Sequence, residues 1–345
     1  MSHTLLPLAD VNFAEATWIM VAKSILIFLG VFLVVPVLTV IERKLIGRFQ
    51  HRYGPNRVGP YGSMQPLADI GKLLGKAQFR PRNAQEFLYV LAPILSVLAA
   101  IGTIAIIPFG PVVDIFGTPT GLYGIDVSIG ILFVFALGAI SFYGLLLGGW
   151  ASASKYSFLG AMRAAAQLIS YEAAQGMALV GVVITAGSLS LVDIVEAQAG
   201  MWYIVPQFVG FIVFLIAGFA ESNRPPFALP EGEAEIIGGY NTEYGGGRFA
   251  NYYMAEYAEV VVISALTVTL FLGGWNLPFG IDPPHWVDPI VVLVKTIGFI
   301  FFFIWVRATL PALRYDQLMS FGWKVLLPLA TINTLVTAIV VVTLA

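Results

Sequence analysis

Eight long apolar runs constrain the fold of this chain more than any other feature of its sequence. An α-helix needs about 20 mainly apolar residues to cross a bilayer. The runs are continuous, unlike the alternating strands of about ten residues that build a membrane β-barrel. The sequence therefore predicts an all-α, polytopic membrane protein with about eight transmembrane helices, the fifth being the shortest. The predicted spans are 18–41, 87–109, 127–150, 166–186, 204–220, 256–275, 287–310 and 324–345.

The composition agrees with a membrane protein and excludes several kinds of site. Of the 345 residues, 58% are hydrophobic and 11% are charged, against about 45–50% and about 25% in soluble domains. The chain has no cysteine, which excludes disulfides, thiolate metal sites and cysteine-held iron–sulfur clusters. Its three histidines are far apart in sequence, and a net charge of −2 does not indicate nucleic-acid binding. We expect no metal and no covalently bound cofactor on this chain.

The basic residues predict how the chain is oriented. All but two of the 18 lysines and arginines lie in or beside alternate loops, and the exceptions are Lys23 and Lys295. Positively charged loops stay on the cytoplasmic side, so both termini are expected outside. The first apolar run has no basic segment before it, which favours a retained span over a cleaved signal. Residues 1–345 are interpreted as a single integral membrane domain in a bacterial inner membrane.

Two of the cytoplasmic loops are unusually elaborate. In the loop 42–86, Leu67, Ile70 and Leu74 recur at helical spacing beside polar residues, which predicts an amphipathic helix at the membrane surface. The loop 221–255 is acidic and rich in glycine and proline. Its glycine clusters lack the sequence frame of a phosphate-binding loop, so nucleotide binding is rejected.

Several carboxylates lie in or beside the predicted spans. Glu172 follows Arg163 by nine residues, about 13 Å along a helix, and charges at such depth are functional candidates by default. Glu221 ends the fifth span, while Glu256 and Glu259 open the sixth and share a helix face. These groups are predicted to form a proton relay of interacting carboxylates. The alternative is that Glu172 is a structural carboxyl and that Glu256 and Glu259 are solvated among lipid headgroups.

Three ordered motifs resemble the H subunit of bacterial NADH:quinone oxidoreductase, respiratory complex I, whose mitochondrial counterpart is NADH dehydrogenase subunit 1. The likeness covers nearly the whole chain. The motifs are Glu42-Arg43-Lys44 with Arg52–Gly62 and Gln65–Asp69; Arg163–Glu172; and Ala220–Phe227 with Glu231–Glu235, Glu243-Tyr244 and Met254–Tyr257.

This resemblance implies a subunit at the junction of the membrane arm and the hydrophilic arm. The implied partners are peripheral quinone-site and iron–sulfur subunits, small membrane-arm subunits and the bilayer. Quinone is the implied substrate, and it reaches its site between the first span, the sixth span and the surface helix. The implied quinone-binding residues are Glu42, Arg43, Pro66, Arg224 and Phe227. The implied proton-relay residues are Glu172, Glu221, Glu231, Glu233, Glu235 and Glu256.

The chain departs from the family pattern at one position. The family commonly has aspartate after Pro-Phe, where this chain has Ala228, and Glu231 is a candidate replacement. The resemblance leaves ubiquinone and menaquinone open. Three other functions are consistent with the residues: a stand-alone cation or proton transporter, the membrane anchor of an energy-converting hydrogenase, and a scaffold for partner subunits.

Overall fold

Seven helices in the described residues are long and apolar enough to cross a membrane, and an eighth apolar helix is shorter. The computed structural model describes residues 17–115, 118–230, 232–278 and 284–344. This confirms the prediction of a polytopic all-α protein, and the fifth predicted span is the short helix. The helices are α1 (Thr17–Phe49), α2 (Gln65–Gly75), α3 (Glu86–Ile106), α4 (Gly130–Ala151), α5 (Lys155–Ala186), α6 (Leu191–Ala197), α7 (Phe208–Glu221), α8 (Glu233–Ile236), α9 (Gly246–Phe271), α10 (Asp288–Thr309), α11 (Tyr315–Phe321) and α12 (Leu327–Leu344).

Two spanning helices begin well before their predicted start. Helix α5 begins at Lys155 and α9 begins at Gly246, whereas the sequence places these starts at 166 and 256. The prediction ends each span at a charged residue. The helices continue because such a charge finds a partner: Arg163, in the early turns of α5, pairs with Glu235 of α8. Backbone hydrogen bonding then extends beyond the apolar core of the span.

Short elements lie between the spans. Strands β1 (Val112–Ile115) and β2 (Thr118–Gly121) form an antiparallel hairpin. Helix α6 begins after Ser190, whose hydroxyl accepts from the backbone N–H of Val192 at 3.2 Å, a common N-terminal cap. Helix α5 ends at Gly187 in the left-handed conformation, which glycine adopts without steric cost.

Helix α9 is the most enclosed of the seven long helices in the described part of the chain. Helices α1, α2, α3, α7 and α10 all pack against it, and Tyr252 of α9 reaches α4, where its hydroxyl donates to the carbonyl of Gly144 at 3.1 Å. A Cβ at Gly148 of α4 would lie 1.9 Å from the Tyr252 hydroxyl, so only glycine permits this approach. The enclosed position of α9 places its polar residues inside the protein and away from lipid.

Candidate functional site: two cavities that share helix α9

A polar cavity of about 550 Å³ lies between helices α3, α4, α5, α7 and α9. Its wall contains four carboxylates: Glu172 from α5, Glu221 from the end of α7, and Glu256 and Glu259 from α9. Four acidic groups around one enclosed space interact strongly, because the low dielectric weakens screening between them. The other polar side chains of this wall are Ser96, Ser141, Gln175, Ser222, Asn223 and Tyr252.

Two acceptor atoms on this wall are buried without a hydrogen-bond partner among the described residues. They are Oε2 of Glu221 and Oε1 of Gln175. Buried acceptors are normally satisfied, and a protonated carboxyl group supplies a donor that an ionised one lacks. The polar cavity is therefore arranged so that protons change its internal hydrogen bonding.

An ion-pair cavity of about 270 Å³ lies on the other side of α9. Glu42 of α1 is 4% exposed and contacts two guanidinium groups. Arg224 lies 3.6 Å from its carboxylate, and Arg307 of α10 forms a second, closer ion pair. The Arg224 guanidinium also lies 4.0 Å from the centre of the Tyr257 ring, within cation–π range. The remaining walls are apolar: Leu38, Val260, Ile300, Phe303 and Ile304.

The ion-pair cavity carries an excess of positive charge, because two arginines face one glutamate. Burial lowers the pKa of Arg224, but the surrounding Tyr257, Glu42 and Glu256 outweigh it and raise the pKa above its ordinary value. Arg224 is therefore a permanent cation, 7% exposed, and its Nε and Nη2 atoms have no hydrogen-bond partner among the described residues. The cavity can accept an electron-rich oxygen on an otherwise apolar molecule.

Neighbouring residues of one helix line the two cavities. On α9, Glu256 and Glu259 face the polar cavity, whereas Tyr257 and Val260 face the ion-pair cavity. The segment after α7 divides in the same way, since Asn223 lines the first cavity and Arg224 the second. A single helix thus separates the two sites.

The surface helix α2 packs against both α1 and α9. Nη1 of Arg43 on α1 donates to Oδ2 of Asp69 on α2 at 2.7 Å. Burial raises the pKa of Asp69, but hydrogen bonds from Gln65, Arg43 and Lys72 outweigh this and hold the pKa below its usual value. The amphipathic helix predicted from the sequence is thus present and attached by a charged contact.

Comparison with known proteins identifies the family. A family model described as NADH dehydrogenase matches residues 22–338. The chain belongs to this family. The first of the numbered H subunits of NADH-quinone oxidoreductase in Geobacter metallireducens is 50% identical over 317 residues, covering 92% of this chain and 94% of that protein. The second H subunit of Geobacter sulfurreducens is 51% identical over 316 residues, with the same two coverages. The H subunit of Thermomicrobium roseum is 48% identical over 314 residues, covering 88% and 90%. The resemblance seen in the three motifs is confirmed.

The residues implied by the family pattern occupy several places in the structure. Glu172, Glu221 and Glu256 lie together in the polar cavity, and Glu42 lies with Arg224 in the ion-pair cavity. The others lie elsewhere. Arg43 is bound to Asp69, Pro66 is buried in α2, Phe227 packs edge-on against Tyr171 at 5.3 Å between ring centres, and Glu235 pairs with Arg163. Glu231 and the side chain of Glu233 lie outside the described residues.

Arg307 is a member of the ion-pair cavity that the sequence does not single out. A basic residue at the cytoplasmic end of a span is usually a topology anchor, and the position of Arg307 in the sequence fits that interpretation. Its partner Glu42 is 265 residues away in sequence. The available signal is the acidic residue itself: Glu42 ends a span without contributing to topology, so it needs a cationic partner.

Proposed function

We propose that this chain is the membrane subunit of a proton-translocating NADH:quinone oxidoreductase. In this proposal it forms much of the path by which quinone enters, and it links quinone reduction to the carboxylates of the polar cavity. Membership of the NADH dehydrogenase family supports the proposal, as do the near full-length relatives named as H subunits of NADH-quinone oxidoreductase.

The observation that carries the coupling is the shared wall of the two cavities. Arg224 lies in the ion-pair cavity and interacts electrostatically with Glu256 across the wall. Reduction of a quinone adds negative charge or draws protons, and either change alters the field at nearby ionisable groups. Because Glu256 lies in the same cavity as Glu172 and Glu221, a proton shift at one carboxylate alters the others.

The quinone path follows from chemistry of the same kind. A lipid quinone needs apolar walls for its tail and a polar end for its carbonyl oxygens. The ion-pair cavity combines apolar residues of α1, α9 and α10 with Arg224 and Arg307. Helix α2, held to α1 by Arg43 and Asp69, lies beside this route. In the proposal Pro66 and Phe227 support the path, because both are buried at its borders.

Partner subunits supply what this chain lacks. With no cysteine and an all-helical membrane fold, the chain carries no iron–sulfur cluster, and electrons reach the quinone from a peripheral subunit. The loops 42–86 and 221–255 face that subunit in the cytoplasm, with Glu231, Glu233 and Glu235 near the interface. Small membrane-arm subunits continue the proton path. The protein lies in the inner membrane of a bacterium with both termini outside.

The substitution Glu172→Gln tests the relay. It preserves shape and hydrogen bonding but removes the titratable proton. In the assembled complex we expect quinone-coupled proton pumping and quinone reductase turnover to fall together, by tenfold or more on the order of a typical proton-transfer defect. NADH oxidation with a soluble electron acceptor should continue. Glu196→Gln is the matched control, because Glu196 is exposed on α6, outside the polar cavity.

Three outcomes would overturn this proposal in whole or in part. If the assembled Glu172→Gln complex pumps protons and reduces quinone at the wild-type rate, Glu172 is structural. If the purified complex oxidises hydrogen in place of NADH and reduces no quinone, the chain is a hydrogenase membrane anchor. Purification of the chain without redox subunits would instead support a stand-alone transporter.

A further inference from the structure

We infer that Tyr240 is a positioning residue that fixes the side chain of Glu256 within the polar cavity. The inference rests on the proposed function, because it assigns Tyr240 a role only through the relay carboxylate. It concerns a residue of the acidic loop 221–255 that the family motifs do not include.

The contact is direct and buried. The hydroxyl of Tyr240 donates to Oε1 of Glu256 at 2.7 Å, the usual length for a hydroxyl donating to an oxygen. Tyr240 is 0% exposed. A hydrogen bond to an ionisable carboxyl is stronger than one between neutral groups, and water does not compete with this donor at a fully buried site. The bond occupies one carboxyl oxygen and leaves the other for proton exchange.

The protein holds the Tyr240 hydroxyl in place from two sides. The Tyr240 ring packs edge-on against Tyr252 of α9, with 5.2 Å between ring centres. Behind it, the loop backbone lies directly on α5. A Cβ at Gly160 would be 2.6 Å from the backbone nitrogen of Tyr240. Thr242 adds a local restraint, because its hydroxyl donates to the carbonyl of Gly239 at 2.7 Å. The hydroxyl therefore has little freedom to move away from Glu256.

This arrangement matters because a glutamate side chain is otherwise flexible. Glu256 lies on the wall between the two cavities, and only one orientation of its carboxyl group suits transfer toward Glu221 and Glu172. Fixing that orientation in advance removes the need to order the side chain at each turnover. Tyr240 thus connects the cytoplasmic acidic loop to a carboxylate of the membrane interior through a single hydrogen bond.

The test compares two phenylalanine substitutions in the assembled complex. Tyr240→Phe removes the hydroxyl on Glu256 and keeps the ring. Tyr244→Phe is the matched control, because Tyr244 is buried in the same aromatic cluster but its hydroxyl donates to the backbone carbonyl of Gly148 at 3.3 Å. We expect Tyr240→Phe to lower quinone-coupled turnover about tenfold, as expected for loss of a hydrogen bond to an ionisable group. The control should change it less than about twofold.

Infrared difference spectra between the oxidised and reduced enzyme give a readout that a merely structural residue would not change. The band lost in Glu256→Gln belongs to Glu256. We expect this band to shift in Tyr240→Phe and to stay in place in Tyr244→Phe. Should Tyr240→Phe fail to assemble, Glu256→Asp provides a second route. It keeps the carboxylate but withdraws it from the hydroxyl by one methylene, and it should reproduce the loss of turnover.

Failure of this inference can be told apart from failure of the proposed function. If Glu256→Gln retains normal pumping and turnover, the relay role of Glu256 itself is wrong. If Glu256→Gln is impaired while Tyr240→Phe leaves both the band and the turnover unchanged, only the positioning role of Tyr240 is wrong. An equal loss in Tyr240→Phe and Tyr244→Phe, with no band shift, would show that the tyrosines only support packing.

Discussion

At the scale of single residues, Lys295 shows how a charge within a span is accommodated. Its ammonium group donates to three backbone carbonyls, those of Leu272 and Gly274 at 2.8 Å and of Asn276 at 2.7 Å. It also lies 4.4 Å from the centre of the Trp202 ring. Helix carbonyls at a C-terminus lack partners and carry partial negative charge. Lys295 of α10 therefore caps the end of α9, the helix that separates the two cavities.

Lys295→Met should destabilise the protein, because it leaves these carbonyls without their donor while preserving side-chain length. We expect a loss of about 2–4 kcal/mol, as for other changes that leave several buried polar groups unpaired. Thermal inactivation of the purified complex, or chemical unfolding of the chain, would measure it. Lys324→Met is the control, since Lys324 is exposed. If the two substitutions have the same effect, the cap does not contribute to stability.

Single residues also show what sequence can and cannot predict. Glu172 is recognisable because a carboxyl so deep in a span needs a reason to be there. Arg307 and Lys295 are not, because each is accounted for equally well by a topology anchor or by a side chain that reaches the interface. Their partners lie on other helices or in the segments that follow them. Only the packing of α1, α9 and α10 shows that both cations are bound within the protein.

At the scale of elements, the apolar helices are all located by the sequence, but the ends of several are misjudged. Hydrophobicity reports the part of a helix that lies in lipid, whereas hydrogen bonding continues for several turns beyond it in α5 and α9. The hairpin of β1 and β2 is missed because strands of four residues carry too little periodicity to be recognised. Helix α2 is predicted correctly, since its apolar and polar residues separate clearly around the turn.

The attachment of α2 to α1 should depend on pH. Because the pKa of Asp69 in the folded protein lies below its ordinary value, its contribution to stability is fully present above the unfolded pKa of about 3.9. That contribution is lost as the pH falls through the folded pKa. We therefore expect the backbone amides of α2 to lose protection from hydrogen exchange when the pH falls below about 4, after correction for intrinsic rates.

Asp69→Asn tests the origin of this effect. It should make α2 less protected at neutral pH and remove most of the acid dependence. Asp316→Asn is the control, because Asp316 pairs with Arg314 but is largely exposed, and surface pairs of that kind contribute little. Acid-induced loss of protection that persists unchanged in Asp69→Asn would assign the effect to other carboxylates.

At the scale of the whole molecule, the proposed function depends on which side of the membrane each cavity opens toward. Glu42, Arg224 and Arg307 lie near the ends of their helices, beside the loops that carry most of the basic residues. The ion-pair cavity is therefore at the cytoplasmic end, next to the loops proposed to meet the electron-donating subunit. The ring of Trp202, the cap by Lys295 and helix α6 all lie at the opposite end.

Cysteine labelling tests this orientation directly, because the chain has no cysteine of its own. The structure guides the choice of positions. Gly62 and Gly239 are unsuitable, since both are buried with positive φ, whereas Ser63 and Ala199 are exposed on opposite sides. We expect Ser63→Cys to react with an impermeant reagent only when the cytoplasmic face is accessible, and Ala199→Cys only from outside. The reverse pattern would place the ion-pair cavity away from the cytoplasm, where no NADH-derived electrons are delivered, and would refute the quinone path proposed here.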